Sequence, residues 1–175
     1  LFSWLAKMNR SGAGIFVTVN ETDGRGRKKD NIKKVRAVWQ EDDGSGRELP
    51  LEPHIEIESS PRKYHRYVLT DGTDDWDAFD SVMASMVTDY GSDPNAKDRS
   101  RVMRLPGFYH LKDPSRPHMV SIIQESGALP LPWPDVVEAF TSNALALDVT
   151  KNNHSGLDVR SKIAAITTTD NYHGS

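Results

Sequence analysis

Hydrophobic positions along the chain follow two periods. Over Trp76, Phe79, Met83, Met86, Val87 and Tyr90 they recur at three- and four-residue steps, which puts one apolar face on a helix. Thr73-Asp74-Asp75 offers side-chain acceptors to open that helix, and Gly91 stops it. Elsewhere the period is two, or the run is short and β-branched. Residues 15–20 (Ile-Phe-Val-Thr-Val-Asn) predict a buried strand, and residues 35–42 predict a second that ends in an Asp43-Gly44 turn. Residues 54–59 and 64–69 alternate, and Ser60-Pro61-Arg62-Lys63 joins them as an antiparallel hairpin. Residues 102–111 and 118–125 predict two further strands, separated by a proline-bearing connection. Shorter helices are expected over residues 2–9, over 30–34, and from the proline-rich 130–134 segment through Phe140. Strands in pairs with helices between them predict an α+β fold: one mostly antiparallel sheet with helices packed on one face.

Composition narrows this picture only slightly. A chain of 175 residues, 37% hydrophobic and 27% charged, has room for one domain with a real core. The net charge of −3 gives no overall attraction to nucleic acid, so any such binding must come from a local basic patch. No apolar run approaches the roughly 18 residues that span a bilayer, so no membrane role is expected. The lack of cysteine excludes disulfides and thiolate zinc sites and fits an intracellular, cytoplasmic location. The start lacks both Met and the pattern of a signal peptide, and a piece of a longer protein is expected. Residues 1–140 read as the main domain, the small and polar 141–156 as a linker, and 157–175 as the start of a helical segment.

Three clusters carry the chemistry. Glu41 and Asp43 are two apart at a strand end, so both carboxylates share the side of Ala37 and Trp39 while Asp42 faces away. Hard divalent cations such as Mg²⁺ take one or two such carboxylates plus waters and substrate phosphates. A solvated acidic turn is the plainer reading of the same residues. Ser60, Lys63 and His65 gather a hydroxyl, a cation and an imidazole around a tight connection, donors that suit a triphosphate; a structural histidine is the alternative. Asp98 then precedes Arg101 and Arg104, an acid beside two forks for phosphate, or else a salt-bridge network closing a loop. Residues 21–29 form a loop whose Arg25, Arg27 and Lys28, with Lys33 beyond it, are candidates for nucleic-acid phosphates, or a solvated basic turn. Gly-x-x-x-x-Gly-Lys-[Ser/Thr], His-x-His, His-Glu-x-x-His and Gly-x-Ser-x-Gly are all missing. That argues against P-loop ATP hydrolysis, tyrosine-dependent DNA nicking, zinc peptidase and serine hydrolase chemistry.

An acidic pair, a Ser/Lys/His hairpin and an acid before arginines, in this order, resemble the archaeo-eukaryotic primase superfamily. The likeness is to its RepB-type plasmid and phage branch of primases and primase-polymerases. Segments 16–24, 35–39, 60–65 and 100–112 carry it, and Ser60-Pro-Arg-Lys-Tyr-His65 and Arg101-Val-Met-Arg-Leu-Pro-Gly107 are its most specific pieces. The resemblance implies a catalytic core with an RRM-like sheet. It implies Glu41, Asp43 and Asp98 as ligands of Mg²⁺ or Mn²⁺, with Glu41 standing where the family usually has Asp. It implies that His65, Ser60, Lys63, Arg101 and Arg104 contact the incoming nucleotide. The expected activity is nucleotidyl transfer from NTPs or dNTPs on a single-stranded DNA template, with a fused or associated replicative helicase as partner. A metal-dependent nuclease using the same carboxylates, and a catalytically silent initiator domain binding single-stranded DNA, are the alternatives.

Overall fold

The computed structural model describes residues 1–142, within which residues 1–140 form one compact unit. The expected linker and C-terminal helical segment lie outside the described residues, apart from positions 141 and 142. Helix α1 spans Phe2–Arg10. Strands β1 (Phe16–Thr18), β2 (Glu21–Thr22) and β3 (Ile32–Asp42) follow, then β4 (Ile55–Ser60) and β5 (Lys63–Thr73). Helix α2 (Trp76–Thr88) precedes β6 (Val102–Arg104), β7 (Tyr109–His110), β8 (His118–Met119) and β9 (Ser121–Glu125). Residues 133–142 are helical and are called α3.

The main sheet has five strands in the order β2-β3-β5-β4-β9, and every pairing in it is antiparallel. Strands β1 and β6 form one separate pair and β7 and β8 another. The long β3 and β5 are the backbone of the molecule, with Trp39 opposite Tyr67 and Glu41 opposite His65. Val35, Val38, Trp39 and Val68 of this ladder are fully buried with Phe79, Val82, Met83 and Met86 of α2. The Trp39 and Phe79 rings lie 5.7 Å apart, and Trp39 Nε1 donates to the Ala96 carbonyl at 2.8 Å, so its one polar atom is satisfied inside the core. Asp75 caps α2 through a 3.1 Å bond from the Ala78 amide. Past its end Gly91, at φ 69°, runs against the Ser45 carbonyl, where a β-carbon would collide.

Four expected elements differ from the structure. The strand expected over 102–111 is broken by Leu105-Pro106-Gly107 into β6 and β7, because Pro donates no hydrogen bond and Gly107 turns at φ 88°. The strand expected over 118–125 is divided at Val120, whose amide and carbonyl bond Phe108 and Gly107. In place of a helix over 30–34 there is one 3₁₀ turn, Lys29–Asn31, and β3 already begins at the buried Ile32. The run expected to be a buried strand at 15–20 is half open: Ile15 is buried, but Phe16 and Val17 are exposed.

Candidate functional site

A tight turn builds one wall of the site. Ser60 pairs with Lys63 across Pro61-Arg62, and Arg62 sits at φ 63°, a left-handed backbone of the kind the third position of a type II turn takes. Its amide donates to the Glu58 carboxylate at 3.1 Å, which helps to hold an arginine where glycine is usual. The turn thereby sets Ser60 and Lys63 beside His65 on the β5 ladder. Glu41 lies directly opposite His65, and Asp43 follows two residues on, so strand pleat alone brings the carboxylates and the imidazole to one side. Strand β6 closes the other wall, and Arg101, just before it, donates from Nη2 to Glu41 Oε2 at 2.8 Å.

The half-open cavity between these walls measures about 710 Å³, and its lining includes Glu41, Asp43, Ser60, Lys63, His65, Arg101 and Arg104. Seven of the eight residues expected to serve metal or nucleotide thus line one cavity. The eighth does not. Asp98 is absent from the lining; its carboxylate holds Lys29 Nζ at 2.9 Å and accepts from the Ser100 amide and hydroxyl at 2.8 and 2.6 Å. Burial alone would raise the pKa of Asp98, but the bonds from Lys29 and Ser100 outweigh it and hold the carboxyl below its ordinary range. The expected cluster of three carboxylates is therefore not formed here. Among the described residues no three His, Asp or Glu side chains stand together as a metal site. Glu41 and Asp43 remain as two hard oxygen donors in one cavity, which fits a Mg²⁺- or Mn²⁺-type ion completed by waters and phosphates.

The β7–β8 connection brings residues that the sequence reading passed over. His110, Lys112, Arg116 and His118 line the same cavity, and Phe16 borders it from β1. The lining then holds five Lys and Arg side chains against the three carboxylates of Glu41, Asp43 and Asp113, an excess of positive charge suited to a polyanion. Lys112 lay inside the arginine-rich segment and was legible as a cation; the two histidines carried no local pattern.

Two imidazoles stay neutral at physiological pH. Burial first, then the charges of Arg104 and Arg101, lowers the pKa of His65 to about 4, and its Nδ1 has no hydrogen-bond partner among the described residues. Burial likewise lowers His110, whose Nδ1 stands 3.1 Å from the Ser59 carbonyl. A carbonyl only accepts, so the neutral His110 carries its proton on Nδ1 and presents a bare Nε2. Burial also lowers the pKa of Arg104, against the pull of Glu41, while its guanidinium stacks 4.8 Å above the Phe16 ring and stays charged.

The candidate nucleic-acid contacts Arg25, Arg27, Lys28 and Lys33 are all exposed and none lines the cavity. Their loop is shaped by Asp23, which accepts from the Arg25 amide at 2.9 Å and from Asn31 Nδ2 at 3.2 Å. Lys33 Nζ donates back to the Asp30 carbonyl at 3.0 Å. Lys29, not singled out from the sequence, ties this loop to Asp98.

Architecture and cavity together define a class. The chain superposes on the AEP domain of the cyanophage S-2L primase-polymerase with a TM-score of 0.65 at 18% identity, covering 80% of this chain and 77% of that one. It also superposes on primase RepB′, TM-score 0.55 at 18% identity, covering 96% of this chain and 60% of that chain. The catalytic domain of RepB′ in complex with initiator DNA gives 0.55 at 18% identity, with coverages of 84% and 74%. The fold is thus that of the archaeo-eukaryotic primase core, an antiparallel RRM-like sheet with flanking helices. Residues 4–150 match the RepB DNA-primase N-terminal domain, and the chain belongs to that family of replication primases. No curated protein matches it in sequence. Among the described residues no helix is long and apolar enough to cross a membrane.

Proposed function

We propose that this domain synthesises short strands on single-stranded DNA by metal-dependent nucleotidyl transfer, with the 710 Å³ cavity as the triphosphate site. One observation carries the reading: Glu41 and Asp43 open into the same cavity as Lys63, His65, Arg101 and Arg104. Nucleotidyl transfer needs that adjacency, because the attacked phosphate must touch both the metal ligands and the groups that neutralise the leaving pyrophosphate.

In this reading Glu41 and Asp43 hold the divalent ion, which supplies Lewis-acid stabilisation at the reacting phosphate when bound. Lys63, Arg101 and Arg104 grip phosphate oxygens, Arg through its planar fork and Lys as a point charge. His65, neutral and with an unpartnered ring nitrogen, donates a hydrogen bond to the phosphate chain without adding charge, and Ser60 adds a hydroxyl at the turn. Lys112 and Arg116 extend the same anion-binding wall. Arg25, Arg27, Lys28 and Lys33 steer the template strand through salt-dependent phosphate contacts. A fused or associated helicase would expose that template.

The test is incorporation of labelled NTPs or dNTPs on a single-stranded template with Mg²⁺ or Mn²⁺, resolved on a denaturing gel. New strands that grow only when triphosphates and metal are both present are expected. Template cleavage without synthesis would instead establish a nuclease. Tight template binding that ignores both metals would establish a silent initiator domain.

A further inference from the structure

Both carboxylates proposed to hold the metal, Glu41 and Asp43, already hold a cation of the chain itself. Asp43 lies 3.1 Å from Lys63 Nζ, and Glu41 lies 2.8 Å from Arg101 Nη2. Lys63 and Arg101 also face the space where a triphosphate would sit. A carboxylate oxygen that coordinates a divalent ion brings two positive charges close to any ammonium or guanidinium bound to the same group, and that repulsion drives the side chain away. The displaced cation needs a new anion, and the phosphates of a nucleotide are the anions that arrive with the metal.

We infer that Lys63 and Arg101 are exchange partners: they pair with Asp43 and Glu41 before metal binds, and transfer to the nucleotide phosphates when the ion takes the carboxylates. This deepens the proposed function and rests on it. The two pairs are built for such a transfer. Lys63 and Asp43 are half-exposed, at 44% and 51% for their side chains, so their bridge is weak and gives way easily. Lys63 stands on a flexible stem at the rim of the turn, able to swing between neighbouring anions. Arg101 binds Glu41 through Nη2 while its buried Nε has no partner among the described residues, so the guanidinium keeps an unused donor for a second acceptor.

The consequence is a reciprocal coupling. Metal should raise nucleotide affinity and nucleotide should raise metal affinity by the same factor. Phosphates that bridge to the ion produce some of this by themselves, so the discriminating quantity is the affinity for metal alone. In the absence of nucleotide, Lys63 competes with the metal for Asp43, whereas Lys112 lines the same cavity and is in no ion pair among the described residues.

The experiment titrates Mn²⁺ into the protein without nucleotide, reading free Mn²⁺ by electron paramagnetic resonance. A non-hydrolysable dNTP analogue is then titrated calorimetrically with and without Mn²⁺. Lys63→Met is expected to bind Mn²⁺ alone about fivefold more tightly and the analogue more weakly, with a smaller coupling factor. Lys112→Met should weaken the analogue yet leave Mn²⁺ alone within about twofold. Lys63→Arg should restore wild-type behaviour in both titrations. If Lys63→Met binds Mn²⁺ no more tightly, or Lys112→Met tightens it equally, exchange is overturned while the nucleotide site stands. A wild-type protein that binds the analogue nowhere in the cavity removes the functional reading and the exchange with it.

Discussion

The two faces of the β3–β5 ladder hold similar residues to opposite ends. On one face, Asp42 accepts from the Gly44 and Gly46 amides at 2.8 and 2.7 Å and from Arg66 at 3.0 Å. Gln40 donates to the Arg47 and Tyr90 carbonyls and accepts from Arg66 at 2.7 Å, and Arg66 Nε reaches Glu56 at 2.7 Å. That network satisfies each charge it buries, and its work is structural. On the other face Glu41, Asp43 and His65 open into a cavity, and the unpartnered buried nitrogens include His65 Nδ1 and Arg101 Nε. Native folds rarely leave such atoms unpaired, and these two lie on residues that line the cavity. The difference sorts charged residues one position apart: Asp42 is tied into a closed network of amides and Arg66, whereas Glu41 and Asp43 each hold a single cation at the wall of a cavity.

Substitutions can break this division, and the largest effect belongs to the cavity. Glu41→Gln should reduce nucleotide incorporation by about 100-fold or more while lowering stability by only about 1 kcal/mol, read by single-turnover kinetics beside urea unfolding. Asp42→Ala should do the reverse. It leaves Arg66 and two amides short of an acceptor, so unfolding free energy should fall by about 3 kcal/mol. Incorporation per folded molecule should hold.

A third experiment sharpens the comparison through pH. Because the folded state holds the His65 pKa at about 4, below the ordinary 6.5, the unfolded chain binds more protons between those values. Its contribution to stability is complete above pH 6.5 and is lost as pH falls through 4, on the order of 3 kcal/mol. In thermal melts wild type should lose stability relative to His65→Gln as pH falls from 6.5 to 4, with the variant showing the flatter profile. The smallest effect lies in the turn. Arg62→Gly relieves the φ 63° backbone and should change stability by no more than about 1 kcal/mol, without loss of incorporation.

How much of this was legible in the sequence follows from the range of the forces involved. Helix α2 was readable because burial along it repeats at the helical period from Phe79 to Met86, and β3 because its short apolar run, Ala37, Val38 and Trp39, is buried on both faces. The placing of Glu41 and Asp43 on one side and Asp42 on the other followed from pleat alone. The turn residues were also local, since Pro61 announces them. What escaped were contacts made across long sequence separations. Asp98 reads as a third acid until Lys29 arrives from a loop far upstream, and His110 has no signal until β7 brings it against Ser59. The break of the strand at Leu105-Pro106-Gly107 was visible as turn chemistry, yet its consequence, a second cationic wall, depended on where β7 and β8 fold back.

Asp42→Asn and Asp43→Asn, measured side by side for primer synthesis and for thermal unfolding, test the division most directly. The account predicts that Asp42→Asn melts earlier yet synthesises normally once corrected for folded protein. It predicts that Asp43→Asn melts with the wild type and makes no product. Synthesis at the wild-type rate by Asp43→Asn would contradict it.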